Sequence, residues 1–269
     1  MRVPFIKMHG LGNDFVVLDA RERSLPPVSG ALVTGLADRE TGIGFDQLIL
    51  LEPTDEADFR VRFWNADGEE VGACGNGSRA VALYHGKPAE VLTDGGVLQL
   101  TPLDGGAEVD MGVPRFDWEA IPLAYGMDTL HMPVAWDELE GPSAVNVGNP
   151  HVIFFVEDCD AVELDLLGPQ IERDALFPER VNVNVASVED ERQIHLRVWE
   201  RGAGLTLACG TGACATAVAA IRRGLCEREV AVHLPGGPLE IIWKADESLL
   251  MRGPAQESFR GTFDWGDYS

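Results

Sequence analysis

Two stretches of the chain alternate large apolar and polar residues with a period of two, F-R-V-R-F-W at 59–64 and I-H-L-R-V-W at 194–199. That period predicts half-buried strands with their large residues on one face. A Gly-containing turn follows each, N-A-D-G at 65–68 and R-G-A-G at 201–204, and a short run then leads to a cysteine. Past the cysteine the pattern becomes helical, S-R-A-V-A-L-Y-H at 78–85 and A-C-A-T-A-V-A-A-I-R-R-G at 213–224. The second helix is apolar nearly all round as far as Arg222, so it is expected inside the fold, with Gly224 as its C-cap.

These similar segments belong to an internal repeat. Residues 60–82 and 195–217 align without a gap and share Arg62/Arg197, Trp64/Trp199, Ala73/Ala208, Cys74/Cys209, both glycines of C-G-x-G, Ala80/Ala215 and Ala82/Ala217. Weaker echoes flank them in the same order: G-N-D-F-V-V at 12–17 with G-N-P-H-V-I at 148–153, and G-G-V-L at 95–98 with G-G-P-L at 236–239. Colinear echoes predict two similar domains, taken as residues 1–114 and 115–269, with a return of the last few residues to the first domain left open.

Composition narrows the function. With 45% apolar residues in 269 the chain can bury a sizeable core. A formal charge of −23 argues against a nucleic-acid partner and against an anionic membrane surface. Only Lys7, Lys87 and Lys244 are lysines, which leaves few candidates for a Schiff base. The N-terminus has no apolar h-region and no stretch approaches a membrane span, so a cytoplasmic protein without a signal peptide is expected. The five cysteines form no CxxC pair and are expected as thiols.

Cys74 and Cys209 each stand at the predicted N-terminus of a buried helix, beside glycines that leave backbone N–H groups uncovered. A helix N-terminus carries partial positive charge and unsatisfied donors, so it lowers a thiol pKa and binds an anion. Two such ends facing each other would place two thiols about one carboxylate. One base would take a proton from a carbon, the opposite acid would return one to the other face, and the stereocentre would invert. Cys159, Cys214 and Cys226 have no such setting and read as packing residues.

The motifs F-I-K-M-H-G-L-G-N-D-F-V-V-L-D, G-F-D-Q-L, N-A-D-G-E-E-V-G-A-C-G-N-G-S-R, V-G-N-P-H-V-I-F-F-V, V-N-V-N and E-R-G-A-G-L-T-L-A-C-G-T-G-A-C-A run almost from end to end. Through them the chain resembles the diaminopimelate epimerase family, whose members need no pyridoxal phosphate. The stretch 115–140 carries little of the resemblance. The likeness implies an α+β fold of two pseudo-symmetric domains, each a curled mixed or antiparallel sheet around a central helix, with the active site in the cleft between them. It also implies interconversion of LL- and meso-2,6-diaminopimelate on the route to lysine and peptidoglycan, a homodimer, and neither metal nor organic cofactor.

The resemblance casts Cys74 and Cys209 as the catalytic pair, with His151 and Glu200 beside them. Of the seven Asn in the chain, Asn13, Asn65, Asn76, Asn149 and Asn182 fall where the family holds substrate, while Asn146 and Asn184 do not. Backbone N–H groups around Gly75–Asn76 and Gly210–Thr211 are expected to hold the α-carboxylate. Arg201 is the natural fork for the distal carboxylate, with Asn65 and Asn182 in support and Glu200 and Gln47 accepting from ammonium groups. His151 is read either as adjusting proton traffic near a thiol or as a satisfied structural residue.

Three rival readings are weaker. G-N-G-S-R-A and G-T-G-A-C-A fit a dinucleotide-binding G-x-G-x-x-A, but that reading leaves both cysteines unexplained. A zinc site from Cys74, Cys209 and His151 matches no ligand spacing. A module that only binds amino acids would have no need of both thiols.

Overall fold

The computed structural model describes residues 1–72 and 74–268 and divides the chain into two compact units, Met1–Val109 with Gly253–Ser269, and Asp110–Arg252. The sequence pattern divides the chain after residue 114 and leaves open a return of the last few residues to the first domain.

In the first unit β1 (Arg2–Gly10) and β2 (Asn13–Asp19) form a hairpin, and α1 (Gly30–Ala37) leads to β3 (Gln47–Glu52), which runs parallel to β2. β4 (Phe59–Asn65) pairs antiparallel with β3 and with the short β5 (Glu70–Val71). Then α2 (Gly75–His85) crosses to β6 (Ala89–Thr93), parallel to β4, before β7 (Gly96–Leu103) and β8 (Gly106–Asp110).

The second unit opens with a small ribbon, β9 (Ala135–Trp136) and β10 (Leu139–Glu140), and then repeats the plan. β11 (Ser143–Asn146) and β12 (Pro150–Phe155) form a hairpin, and α3 (Leu164–Glu172) leads to β13 (Asn182–Asp190), parallel to β12. β14 (Gln193–Glu200) pairs antiparallel with β13 and with β15 (Gly204–Thr206). Next α4 (Gly210–Arg222) crosses to β16 (Glu229–Leu234), parallel to β14, and β17 (Gly237–Trp243) and β18 (Leu249–Pro254) follow. Finally β19 (Gln256–Asp264) pairs with β1 in the first unit.

Each unit is a mixed sheet with a helix in its centre. α4 touches β11, β12, β13, β14, β16 and β17, and every residue from Gly212 to Ala220 is buried. Its alanines are what lets a sheet curl so tightly, since a methyl group keeps strands close to the helix axis. The helix ends with Arg223 as C-cap, and the left-handed glycine, Gly224 at φ 72°, sits one residue beyond it. The unpatterned stretch 115–140 supplies Ile121, Leu123, Met132 and Leu139 to an apolar cluster shared with α3, β12 and β13. Among the described residues no helix is long and apolar enough to cross a membrane.

Candidate active site

In the first unit Cys74 caps α2. Its backbone is still extended, at φ −144° and ψ 112°, and its Sγ accepts the N–H of Gly77 at 3.2 Å. A Cβ on Gly77 would stand 2.9 Å from Phe63 Cε1 and 3.1 Å from Ile49 Cδ1. Glycine there lets the helix begin hard against β3 and β4, which sets where the sulfur lies. Asn76 donates Nδ2 to Asn13 Oδ1 at 2.5 Å, and Asn13 donates in turn to Asp46 Oδ2 at 3.2 Å. Arg79, fully buried, steadies Asn76 by donating to its Oδ1 at 2.9 Å. Gln47 and Asn65 oppose each other across the β3–β4 ladder, amide to amide, at 2.8 Å.

In the second unit Cys209 caps α4 in the same way, at φ −134° and ψ 107°, and accepts the Gly212 N–H at 3.4 Å. The Thr211 hydroxyl lies 3.5 Å from the sulfur. The Ala213 N–H goes to the Cys209 carbonyl, while those of Gly210 and Thr211 have no hydrogen-bond partner among the described residues. Glu200 lies against the sulfur and takes the Thr206 hydroxyl at 2.6 Å.

Asn182 fixes the turn after β14, accepting the Arg201 N–H at 2.9 Å and donating to the Pro150 carbonyl at 2.8 Å. The Arg201 guanidinium is exposed and donates to the Glu179 carbonyl at 2.9 Å. Buried Glu172 secures the turn from behind, accepting Trp199 Nε1 at 2.8 Å and the Gly202 N–H at 3.2 Å. His151 is fully buried with both ring nitrogens occupied, Nε2 by Asn149 Oδ1 at 2.9 Å and Nδ1 by Asn184 at 3.0 Å. No ring lone pair is left for a metal.

The ladder registers make the two halves comparable position by position. Gln47 neighbours Phe15 and opposes Asn65, one residue before the partner of Trp64. Asn182 neighbours His151 and precedes Val183, the partner of Trp199. The equivalent positions are therefore Asn13 and Asn149, Phe15 and His151, Gln47 and Asn182, Asn65 and Glu200, Ile49 and Asn184.

One electrostatic expectation is corrected. The helix end was expected to lower both thiols, but burial pushes Cys209 well above the ordinary thiol range and the Glu200 carboxylate pushes the same way. The Thr211 hydroxyl and the Gly212 N–H pull in the other direction and are outweighed. Burial also raises Glu200, against the Thr206 hydrogen bond, and holds His151 down at about 3.

The expected residues thus form two clusters, Asn13, Gln47, Asn65, Cys74, Gly75 and Asn76 in one unit and Asn149, His151, Asn182, Glu200, Arg201, Cys209, Gly210 and Thr211 in the other. Sequence reasoning did not single out Asp46, Arg79, Glu172 or Asn184. For Asn184 a signal existed, since V-N-V-N puts Asn182 and Asn184 two apart on one face of a strand. Glu172 gives none, because it reaches the turn from α3.

The profile of the family described as "Diaminopimelate epimerase" matches residues 5–116 and 143–257. The diaminopimelate epimerase of Erythrobacter litoralis is 70% identical over 269 residues, covering 100% of both chains. That of Sphingopyxis alaskensis is 61% identical over 264 residues, covering 98% of each. Among solved structures, a phenazine-biosynthesis protein of the PhzF family from Enterococcus faecalis superposes with a TM-score of 0.71 at 14% identity, covering 98% of this chain and 100% of that one. A probable proline racemase from Agrobacterium radiobacter gives 0.68 at 14%, covering 97% and 93%. At that identity the two structures speak for the fold alone. The full-length relatives and the matched profile go further, and they agree with the paired N-cap cysteines: the chain belongs to the diaminopimelate epimerase family.

Proposed function

We propose that this protein interconverts LL- and meso-2,6-diaminopimelate by proton transfer at the α-carbon between two thiols, one addressing each face. The reading rests on one observation above the rest: each of two similarly built units presents a cysteine as the N-cap of its central helix. A thiolate takes the α-proton and becomes a thiol; the electron pair spreads onto the α-carboxylate; the opposite thiol then gives its proton to the other face and is left as thiolate. Helix-end N–H groups at Gly75–Asn76 and Gly210–Thr211 stabilise the charge as it develops, which is where preorganised donors contribute most. Arg201 holds the distal carboxylate through its fork of donors, with Asn65 and Asn182 alongside, and Gln47 and Glu200 accept from ammonium groups. Cys209 suits the acid role at the outset, because burial and Glu200 keep its proton on. In the same reading the enzyme is a cytoplasmic homodimer that works without cofactor, in the supply of lysine and peptidoglycan precursors.

A proton NMR time course with LL-diaminopimelate in D₂O tests this. Loss of the α-proton signal with appearance of the meso isomer is expected. No exchange and no new isomer would reject the activity and leave a binding protein with two idle thiols.

A further inference from the structure

We propose that Asn184, acting through His151, is a positioning residue that fixes which way round the Asn149 amide faces the substrate. The oxygen of Val152 can only accept, so the end of the Asn184 amide that faces it at 3.2 Å is the NH₂. The second hydrogen of that NH₂ points to His151 Nδ1 at 3.0 Å, which must therefore hold a lone pair. The ring proton then sits on Nε2 and donates to Asn149 Oδ1 at 2.9 Å. With its oxygen committed, Asn149, half-buried and immediately before β12, is left with its own NH₂, which has no hydrogen-bond partner among the described residues. Four groups in series thus convert one fixed carbonyl into a donor of fixed sense, ready for a carboxylate oxygen of an amino-acid substrate.

The other half of the molecule shows that packing does not require this series. The positions equivalent to His151 and Asn184 hold Phe15 and Ile49, both fully buried. Ile49 rests against Gly77 as Asn184 rests against Gly212, with an ideal Cβ at 3.1 Å in one case and 2.8 Å in the other. Two apolar side chains do the structural work there. The polar pair also carries a cost, since Asn184 Oδ1 is buried without a hydrogen-bond partner. Burial that keeps the imidazole neutral serves the same end, because an imidazolium would turn an N–H against the Asn184 NH₂.

The inference rests on the proposed activity for its substrate, so its test has one arm that needs no activity. In ¹⁵N-histidine-labelled protein, with the His151 signals assigned by their loss in His151→Phe, the expected pattern at neutral pH is a protonated Nε2 and a bare Nδ1. A protonated Nδ1, alone or in an imidazolium, overturns the proposal, and this arm does not depend on the Asn184 or Asn149 variants folding. The second arm is a double-mutant cycle of Asn184→Leu and Asn149→Ala, with folding checked by melting temperature. Asn184→Leu is expected to lower kcat/KM for LL-diaminopimelate roughly tenfold, through KM, as loss of one oriented hydrogen bond would. In the Asn149→Ala background it should cost nothing further. Equal losses in both backgrounds overturn the proposal. Absence of turnover in the unaltered protein would count against the activity itself and would leave the tautomer result to be read separately.

Discussion

Glu200 lies against the buried thiol of Cys209, so a half-buried carboxylate favours the protonated form of its neighbour. In the first unit the position equivalent to Glu200 is Asn65, which is neutral and hydrogen-bonded to Gln47 at 2.8 Å. The two clusters therefore share a backbone plan while the residue beside the β15 or β5 turn differs in charge. Burial is the larger cause of the Cys209 shift and Glu200 the second. Glu200→Gln should accordingly lower the Cys209 pKa without returning it to the ordinary range. Alkylation rate against pH, measured in a Cys74→Ala background, reads this directly; an unmoved profile would remove Glu200 as a cause.

Each thiol is expected to be indispensable. Cys74→Ala and Cys209→Ala should each reduce epimerisation by roughly 10³-fold, within the range of a lost general acid or base, with the melting temperature little changed. A single variant that epimerises at the normal rate would end the two-base mechanism.

Gly77→Ala tests whether the helix start is set by contact with the sheet. The added Cβ would meet Phe63 at 2.9 Å and Ile49 at 3.1 Å, both fully buried. Overpacking of this kind costs about 1–3 kcal/mol. A lowered denaturation midpoint together with reduced kcat is expected, because the Gly77 N–H also bonds the Cys74 sulfur. A fully active variant of unchanged stability would show that the contact is easily relieved.

Arg201→Lys keeps the charge and loses the fork. The expected result is a KM for diaminopimelate raised about tenfold or more, with kcat less affected. Wild-type KM in the lysine variant would mean that the distal carboxylate is held elsewhere.

Acid stability should reveal Asp14. Burial favours its neutral form, but hydrogen bonds from Arg39 at 2.8 Å and Lys7 at 2.6 Å outweigh this and lower its pKa to about 2. A carboxyl depressed in the folded state stabilises above its unfolded pKa, about 4, and that contribution is lost as pH falls toward the folded value. Asp14→Asn should therefore melt below wild type at neutral pH, and the gap should close near pH 2. A gap that persists in acid would point to packing instead of charge.

Much of this was legible in the sequence because its signals are local. The period-two strands, the Gly turns, the Ala-rich helix and the cysteines at helix starts each depend on residues within a few positions of one another, and all of them stand in the structure. The repeat multiplied that legibility, since a weak pattern seen twice in order is a strong one. The stretch 115–140 was unreadable for the opposite reason: Ile121, Leu123 and Met132 meet their partners on α3, β12 and β13 far along the chain, with no period of their own. Glu172 and Arg79 give no local signal either, because a buried charge looks like a surface charge until its distant partners, Trp199 for one and the Pro254 carbonyl for the other, are known.

The sequence by itself therefore determined the duplicated plan, the two cysteines at helix N-termini and the family. Only the tertiary structure decided the protonation tendency of Cys209, the tautomer of His151 and the unit to which the C-terminal strand returns. The division is physical. Backbone conformation and capping follow from neighbours in the chain, whereas desolvation, a carboxylate brought against a thiol and an amide relay across parallel strands exist only once distant residues are buried together.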